Sequence, residues 1–128
     1  MVMSGSMSHQ DEEWLLDSGA TCGVTYDRTL MTDMRTSNRP ITVGNGEQIP
    51  TIGQGTVTLK SECGTTMKIT DIYYAPGFAK NILSLRTLMD HEWTLSSATK
   101  QALFLSRGKE TVKFKNSPKD NLFYLNGQ

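Results

Sequence analysis

A mainly β fold with one short helix is what this sequence predicts, and three observations predict it. The apolar runs are short, such as Trp14-Leu15-Leu16 and Asn81-Ile82-Leu83, and Gly, Asn or Pro breaks the pattern nearby. Thr and Ser are abundant alongside four Pro and 11 Gly, a mixture that suits strands joined by tight turns. One stretch alone, Ser84 to about Glu92, repeats apolar residues convincingly at helical spacing. With 128 residues, 37% of them hydrophobic, the chain can bury one modest core, so a single domain is expected.

Taken in order, residues 1–10 are rich in Ser, Gly and Met and read as a linker or a cloning remnant. Trp14-Leu15-Leu16 is a buried-strand pattern running into Asp17-Ser18-Gly19-Ala20, where small residues let the backbone turn sharply. After Gly23-Val24-Thr25-Tyr26, the segment from Asp27 to Pro40 is polar and irregular, with Leu30, Met31 and Met34 as apolar anchors, and predicts a loop over the core. Ile41-Thr42-Val43, Gly44-Asn45-Gly46-Glu47 and Gln48-Ile49 make a hairpin pattern, because Asn-Gly suits the positive φ of a type I′ turn; its glycines predict mobility. Gly53 to Leu59 and Met67 to Tyr74 read as a strand and its return, joined at Glu62-Cys63-Gly64-Thr65. Pro76-Gly77 ends that strand, Asn81-Ile82-Leu83 is a brief buried run, and Ser84 stands where it would cap a helix with Leu85, Leu88, Met89 and Trp93 on one face. Trp93 to Leu95, Ala102 to Leu105, Thr111 to Phe114 and Leu122 to Leu125 follow as strands.

Thirteen basic and 13 acidic side chains cancel, so no global charge draws the protein to nucleic acid or an anionic membrane. Lys100, Arg107, Lys109, Lys113, Lys115 and Lys119 face only Glu110 in the local balance of residues 100–119. An RNA-contacting face is the sharper reading of that cluster and a solvated strand edge the plainer one, and no direct nucleic-acid binding is expected. Cys22 and Cys63 lack a CxxC or a nearby His pair, which signals neither a disulfide framework nor a zinc site and leaves free thiols as the expectation. No run approaches the roughly 18 apolar residues of a membrane span, and the first ten residues lack a signal-peptide pattern, so a soluble intracellular protein is expected.

The chemistry turns on Asp17-Ser18-Gly19-Ala20. An aspartic protease needs a carboxylate on a rigid corner, a hydroxyl beside it and a glycine that admits substrate backbone. Alone, the tripeptide is equally an ordinary Asx turn. Its context is more telling: an apolar strand enters Asp-Ser-Gly-Ala, a glycine-rich hairpin follows near residue 45, and a second apolar strand enters a helix near residue 84. This order resembles the retropepsin family of aspartic proteases. Trp14-Leu15-Leu16-Asp17-Ser18-Gly19-Ala20-Thr21, Val43-Gly44-Asn45-Gly46 and Tyr74-Ala75-Pro76-Gly77 through Asn81-Ile82-Leu83-Ser84-Leu85 resemble its copia-type branch of LTR retrotransposons, over about residues 13–98.

The resemblance implies a retropepsin-like closed β-barrel working as a homodimer, with a core over residues 11–99 and a C-terminal β extension over 100–128 that is a candidate for the dimer interface. Leu103, Leu105, Val112, Phe114, Phe123 and Tyr124 are expected to pack there. Asp17 would be the catalytic carboxylate, Ser18 would lock the two active-site loops across the dimer, and Gly19 would offer its carbonyl to substrate. Val43, Gly44, Asn45, Gly46 and Glu47 would form the flap, and Ala20 and Ile82 would line the pocket beside the scissile bond. No metal or cofactor is implied. The implied substrates are junctions of the element's own Gag-Pol polyprotein, cut in the cytoplasm within virus-like particles. Ser84-Leu85 stands where retroviral proteases carry Gly-Arg, and Thr21 where they carry the acidic partner of that arginine, which leaves open how the active-site base is braced.

One Asp-Ser-Gly is present and the reaction wants two carboxylates around one water, so a second copy must supply the other. Two carboxylates about 3 Å apart share a proton, which favours a mildly acidic optimum. Other readings are a domesticated, non-catalytic dimeric peptide-binding module, and a protease of the ubiquitin-shuttle family, against which the phrase from Pro76 to Leu85 argues. A Cys22/His91/Asp17 triad is disfavoured because Cys22 has no recognisable nucleophile motif and His91 falls on the exposed side of the helix.

Overall fold

The computed structural model describes residues 13–61 and 64–126. The expectations for residues 1–10 and for the Cys63 thiol lie outside them. Among the described residues, twelve strands and one α-helix succeed one another: β1 (Glu13–Asp17), β2 (Val24–Thr25), β3 (Met31–Thr36), β4 (Ile41–Thr42), β5 (Gln48–Ile49), β6 (Gly53–Lys60), β7 (Thr66–Tyr74), β8 (Asn81–Ser84), α1 (Leu85–Asp90), β9 (Thr94–Ala98), β10 (Ala102–Arg107), β11 (Glu110–Asn116) and β12 (Phe123–Asn126). None of the described helices is long and apolar enough to cross a membrane.

Ten strands form one sheet in the order β3-β6-β7-β2-β8-β1-β12-β11-β10-β9, and β4 and β5 form a separate hairpin. The mainly β expectation holds, but the expected closed barrel does not, because β3 and β9 remain unpaired edges. Both edges are spoiled for pairing. The β3/β6 ladder slips between Thr32 and Arg35, around an Asp33 at φ +54°, and β9 slips against β10 between Phe104 and Leu105. Such bulges bend an edge strand and end its ladder.

β1 sits near the middle of the sheet, parallel to β8 (Leu15↔Ile82, Asp17↔Ser84) and antiparallel to β12 (Trp14↔Leu125). Alternation along a strand sends neighbouring side chains to opposite faces. Trp14 therefore enters the larger core, with Val57, Met67, Leu83, Trp93, Leu105 and Phe114. Leu15 enters a second core with Ala20, Val24, Val43, Tyr73 and Ile82, directly beneath the Asp17 loop. Both Trp14 and Trp93 are fully buried core residues.

Three local expectations need correction. Residues 31–36 form a strand rather than loop, and the bulge at Asp33 breaks the alternation that would have revealed it. The tip of the β4/β5 hairpin closes by a Gly46 N–H bond to Val43 O (2.9 Å) and a Val43 N–H bond to Glu47 O (3.0 Å), with Gly46 in the left-handed region and Asn45 outside it. That is a three-residue loop with a glycine bulge, not the two-residue type I′ turn. The helix begins at Leu85 behind its Ser84 cap, but Leu88 is its single buried residue and Met89 is 50% exposed. Six residues are too few for the expected apolar face to reach Trp93, which is buried beyond the helix end.

Candidate active site

Asp17 is the last residue of β1, half-buried where the strand leaves the sheet. Its carboxylate is held from two sides: Gly19 N–H donates to Oδ1 (2.8 Å) and Gly44 N–H donates to Oδ2 (3.1 Å). The first bond is the Asx turn that Asp-Ser-Gly favours. The second reaches across from the hairpin tip. The approach is close because two glycines allow it: a Cβ on Gly44 would stand 2.5 Å from Asp17 Oδ1, and one on Gly19 would stand 2.8 Å from Gly44 Cα.

The loop after Asp17 is braced by hydroxyls. Ser84 Oγ donates to Ala20 O (2.8 Å) and accepts from Thr87 N–H (3.1 Å), while Thr87 Oγ1 donates to Thr21 O (3.2 Å). Thr21 N–H in turn donates to Thr42 O (2.9 Å), tying the loop to the hairpin. The Ser84 and Thr87 hydroxyls, both neutral, thus brace the segment that follows Asp17. Thr87 went unnoticed in the sequence, since a hydroxyl facing a backbone carbonyl leaves no pattern.

Asp17, Ser18 and Gly19 open onto a cleft of about 620 Å³. Val43, Gly44, Asn45 and Glu47 roof it, and Leu15, Leu16 and Ile82 form its floor. Gly46 stands clear at the tip, where a Cβ would meet nothing within 4 Å. Of the two residues expected beside the scissile bond, Ile82 lines the cleft, whereas Ala20 is buried in the core beneath and does not. Ser18 is exposed at the cleft edge. Phe78, Ala79, Lys80 and Leu122 complete the lining and were not foreseen. Pro76-Gly77 marked the first three as a break between strands, whereas nothing near Leu122 signalled the cleft.

Leu122 is carried on the β11–β12 turn, far from Asp17 in sequence. Ser117 N–H donates to Leu122 O (2.8 Å), Leu122 N–H to Asp120 Oδ1 (3.0 Å) and Asn116 Nδ2 to Asn121 Oδ1 (3.0 Å). Tyr124 Oη donates to Asp120 Oδ2 (2.5 Å). Burial, followed by that bond, pushes the Tyr124 hydroxyl up to about 12, and the same bond is the main cause holding the exposed Asp120 carboxyl below its ordinary value.

Comparison with known families then adds its own observation: residues 14–93 match the family of the Pol polyprotein beta-barrel domain. The chain belongs to that family. The match takes in the Asp17 loop, the hairpin and the β8–α1 junction, while β9 to β12 lie beyond it. A Ty5-1 transposon protein of Saccharomyces cerevisiae is 29% identical over 86 residues, which is 66% of this chain and 56% of that protein. The chain thus spans little more than half the length of this curated relative. No solved structure matches. These comparisons support a retrotransposon Pol polyprotein domain of copia type.

Proposed function

We propose that this Pol beta-barrel domain is an aspartic endopeptidase that cuts the Gag-Pol polyprotein of its own element, including its own ends, with a dyad of Asp17 from each of two subunits. The observation that carries the reading is the Asp17 carboxylate, fixed by Gly19 N–H and reached by the hairpin N–H of Gly44 at the head of a largely apolar cleft. A fixed carboxylate under a glycine-rich hairpin suits an extended peptide, held by its backbone while alternate side chains enter pockets.

In the dyad, one carboxylate takes a proton from the water that attacks the scissile carbonyl carbon, and the other gives its proton to the carbonyl oxygen. The resulting gem-diol collapses, the C–N bond breaks, and the amine leaves with a proton returned from the dyad. Gly44 must release Oδ2 when substrate enters, so Val43 to Glu47 act as a flap. Ser18, exposed beside Asp17, would meet its counterpart across the two-fold axis of the proposed dimer. The place of action is the cytoplasm, within the element's particles.

The test is cleavage of peptides spanning apolar polyprotein junctions between about pH 4.5 and 7, with protein concentrated enough to favour dimers. Asp17→Asn should lower the rate by about 10²- to 10⁴-fold or more, the usual contribution of an acid–base group. Cutting that survives in Asp17→Asn would overturn the dyad. A folded dimer that cuts no member of a diverse peptide library would favour the non-catalytic peptide-binding module instead.

A further inference from the structure

We propose that Leu122, from the C-terminal hairpin beyond the family-matched region, is a wall of the substrate groove and sets which apolar side chain is accepted beside Asp17. This deepens the endopeptidase reading and rests on it.

Leu122 is 40% exposed, one of four large hydrophobics left exposed among the described residues, with Ile52, Met89 and Leu95. Of the four, it alone lines the Asp17 cleft. The turn that carries it is mostly polar, with Ser117, Lys119, Asp120 and Asn121 around Pro118. An apolar side chain half in water on a polar turn gains little from folding itself, and far more from covering an apolar surface that arrives later.

The turn is also held rigidly, which a specificity wall requires. Asn121 has φ +62°, in the left-handed region that Asn adopts more readily than most non-glycine residues, and Asn121 N–H donates to Ser117 O (2.7 Å). Asp120 is anchored both by Leu122 N–H and by the Tyr124 hydroxyl, and Tyr124 pairs with Leu15 through the β1/β12 ladder. A continuous set of bonds thus connects the cleft floor to the Leu122 wall. On its other side Leu122 borders a smaller recess with Leu16, Ser18, Leu85, Leu103 and Phe123, so it stands with Leu16 and Ser18 between the cleft and that recess.

The experiment compares the 128-residue chain with its Leu122→Ala and Leu122→Phe variants on a peptide library varied at the residues flanking the cut, and repeats the comparison as peptide binding by fluorescence anisotropy in the Asp17→Asn background. Circular dichroism verifies folding of each variant. Leu122→Ala should shift preference toward larger side chains and Leu122→Phe toward smaller ones, by roughly 10-fold or more in relative kcat/KM or affinity, as expected when a pocket wall gains or loses a few methylenes. Cleavage with coincident preference profiles would overturn the inference and leave the protease reading intact. So would an activity loss restored merely by raising protein concentration, which would place Leu122 in the subunit contact. A Leu122-dependent preference in binding without any cutting would sustain the groove wall and overturn the hydrolytic reading. Neither cutting nor binding in any form would overturn both.

Discussion

At Asp17, two backbone N–H groups serve one side chain, and the donors differ in kind. Gly19 N–H belongs to the same turn and moves with Asp17, whereas Gly44 N–H comes from a hairpin whose own ladder is two residue pairs long. The Gly44 bond is therefore the one expected to open. Gly44→Ala should prevent it altogether, since the added methyl would overlap the carboxylate at 2.5 Å. Because Gly44 is exposed, the stability cost should stay within about 1 kcal/mol in a urea melt, as for surface substitutions without buried contacts. Amide hydrogen exchange at position 44 should accelerate, and peptide cleavage should fall by about 10-fold. Unchanged exchange would mean that the hairpin tip does not rest on Asp17 in solution.

Among the elements, the β8–α1 junction does the most to position the site. Ser84 is buried, caps the helix through Thr87 N–H and satisfies Ala20 O with the same hydroxyl. Ser84→Ala should thus cost about 2 to 4 kcal/mol, the sum of a lost N-cap and a buried carbonyl left unpaired. Denaturant unfolding measures this, and a loss under about 1 kcal/mol would show that the cap and the brace are replaced by other groups. The cap was legible in the sequence because Ser84 precedes a helical repeat, and so were most strands, whose apolar runs and turn residues are local. The second bond, to Ala20, was not legible, since it joins residues 64 positions apart. Strand β3 escaped for the opposite reason: its local signal is real but scrambled by a bulge.

Across the whole molecule, the hairpins after α1 are not an appendage to the packing. Leu105, Val112, Phe114 and Leu125 are fully buried in the core that holds Trp14 and Leu83, and β12 pairs with β1, the strand that ends in Asp17. At about 1.5 to 3 kcal/mol for each buried side chain, removing these four takes away roughly as much as the entire net stability of a small domain, about 5 to 15 kcal/mol. A fragment ending at residue 99 should therefore show no cooperative thermal transition. A sharp transition in that fragment would demonstrate a separable core and overturn this expectation.

By itself, the sequence determined the β class, the Asp17 corner, the glycine-rich hairpin over residues 41–49 and the capped helix, because each is written in the spacing of neighbouring residues. Tertiary structure alone decided that the sheet stays open, that Gly44 rests on Asp17, that hydroxyls of Ser84 and Thr87 brace the loop, and that Leu122 enters the cleft. Alternation tells a strand which side chains face inward, but not which distant strand it will meet. That choice is made by the joint packing of the two cores, and no local run of residues contains it.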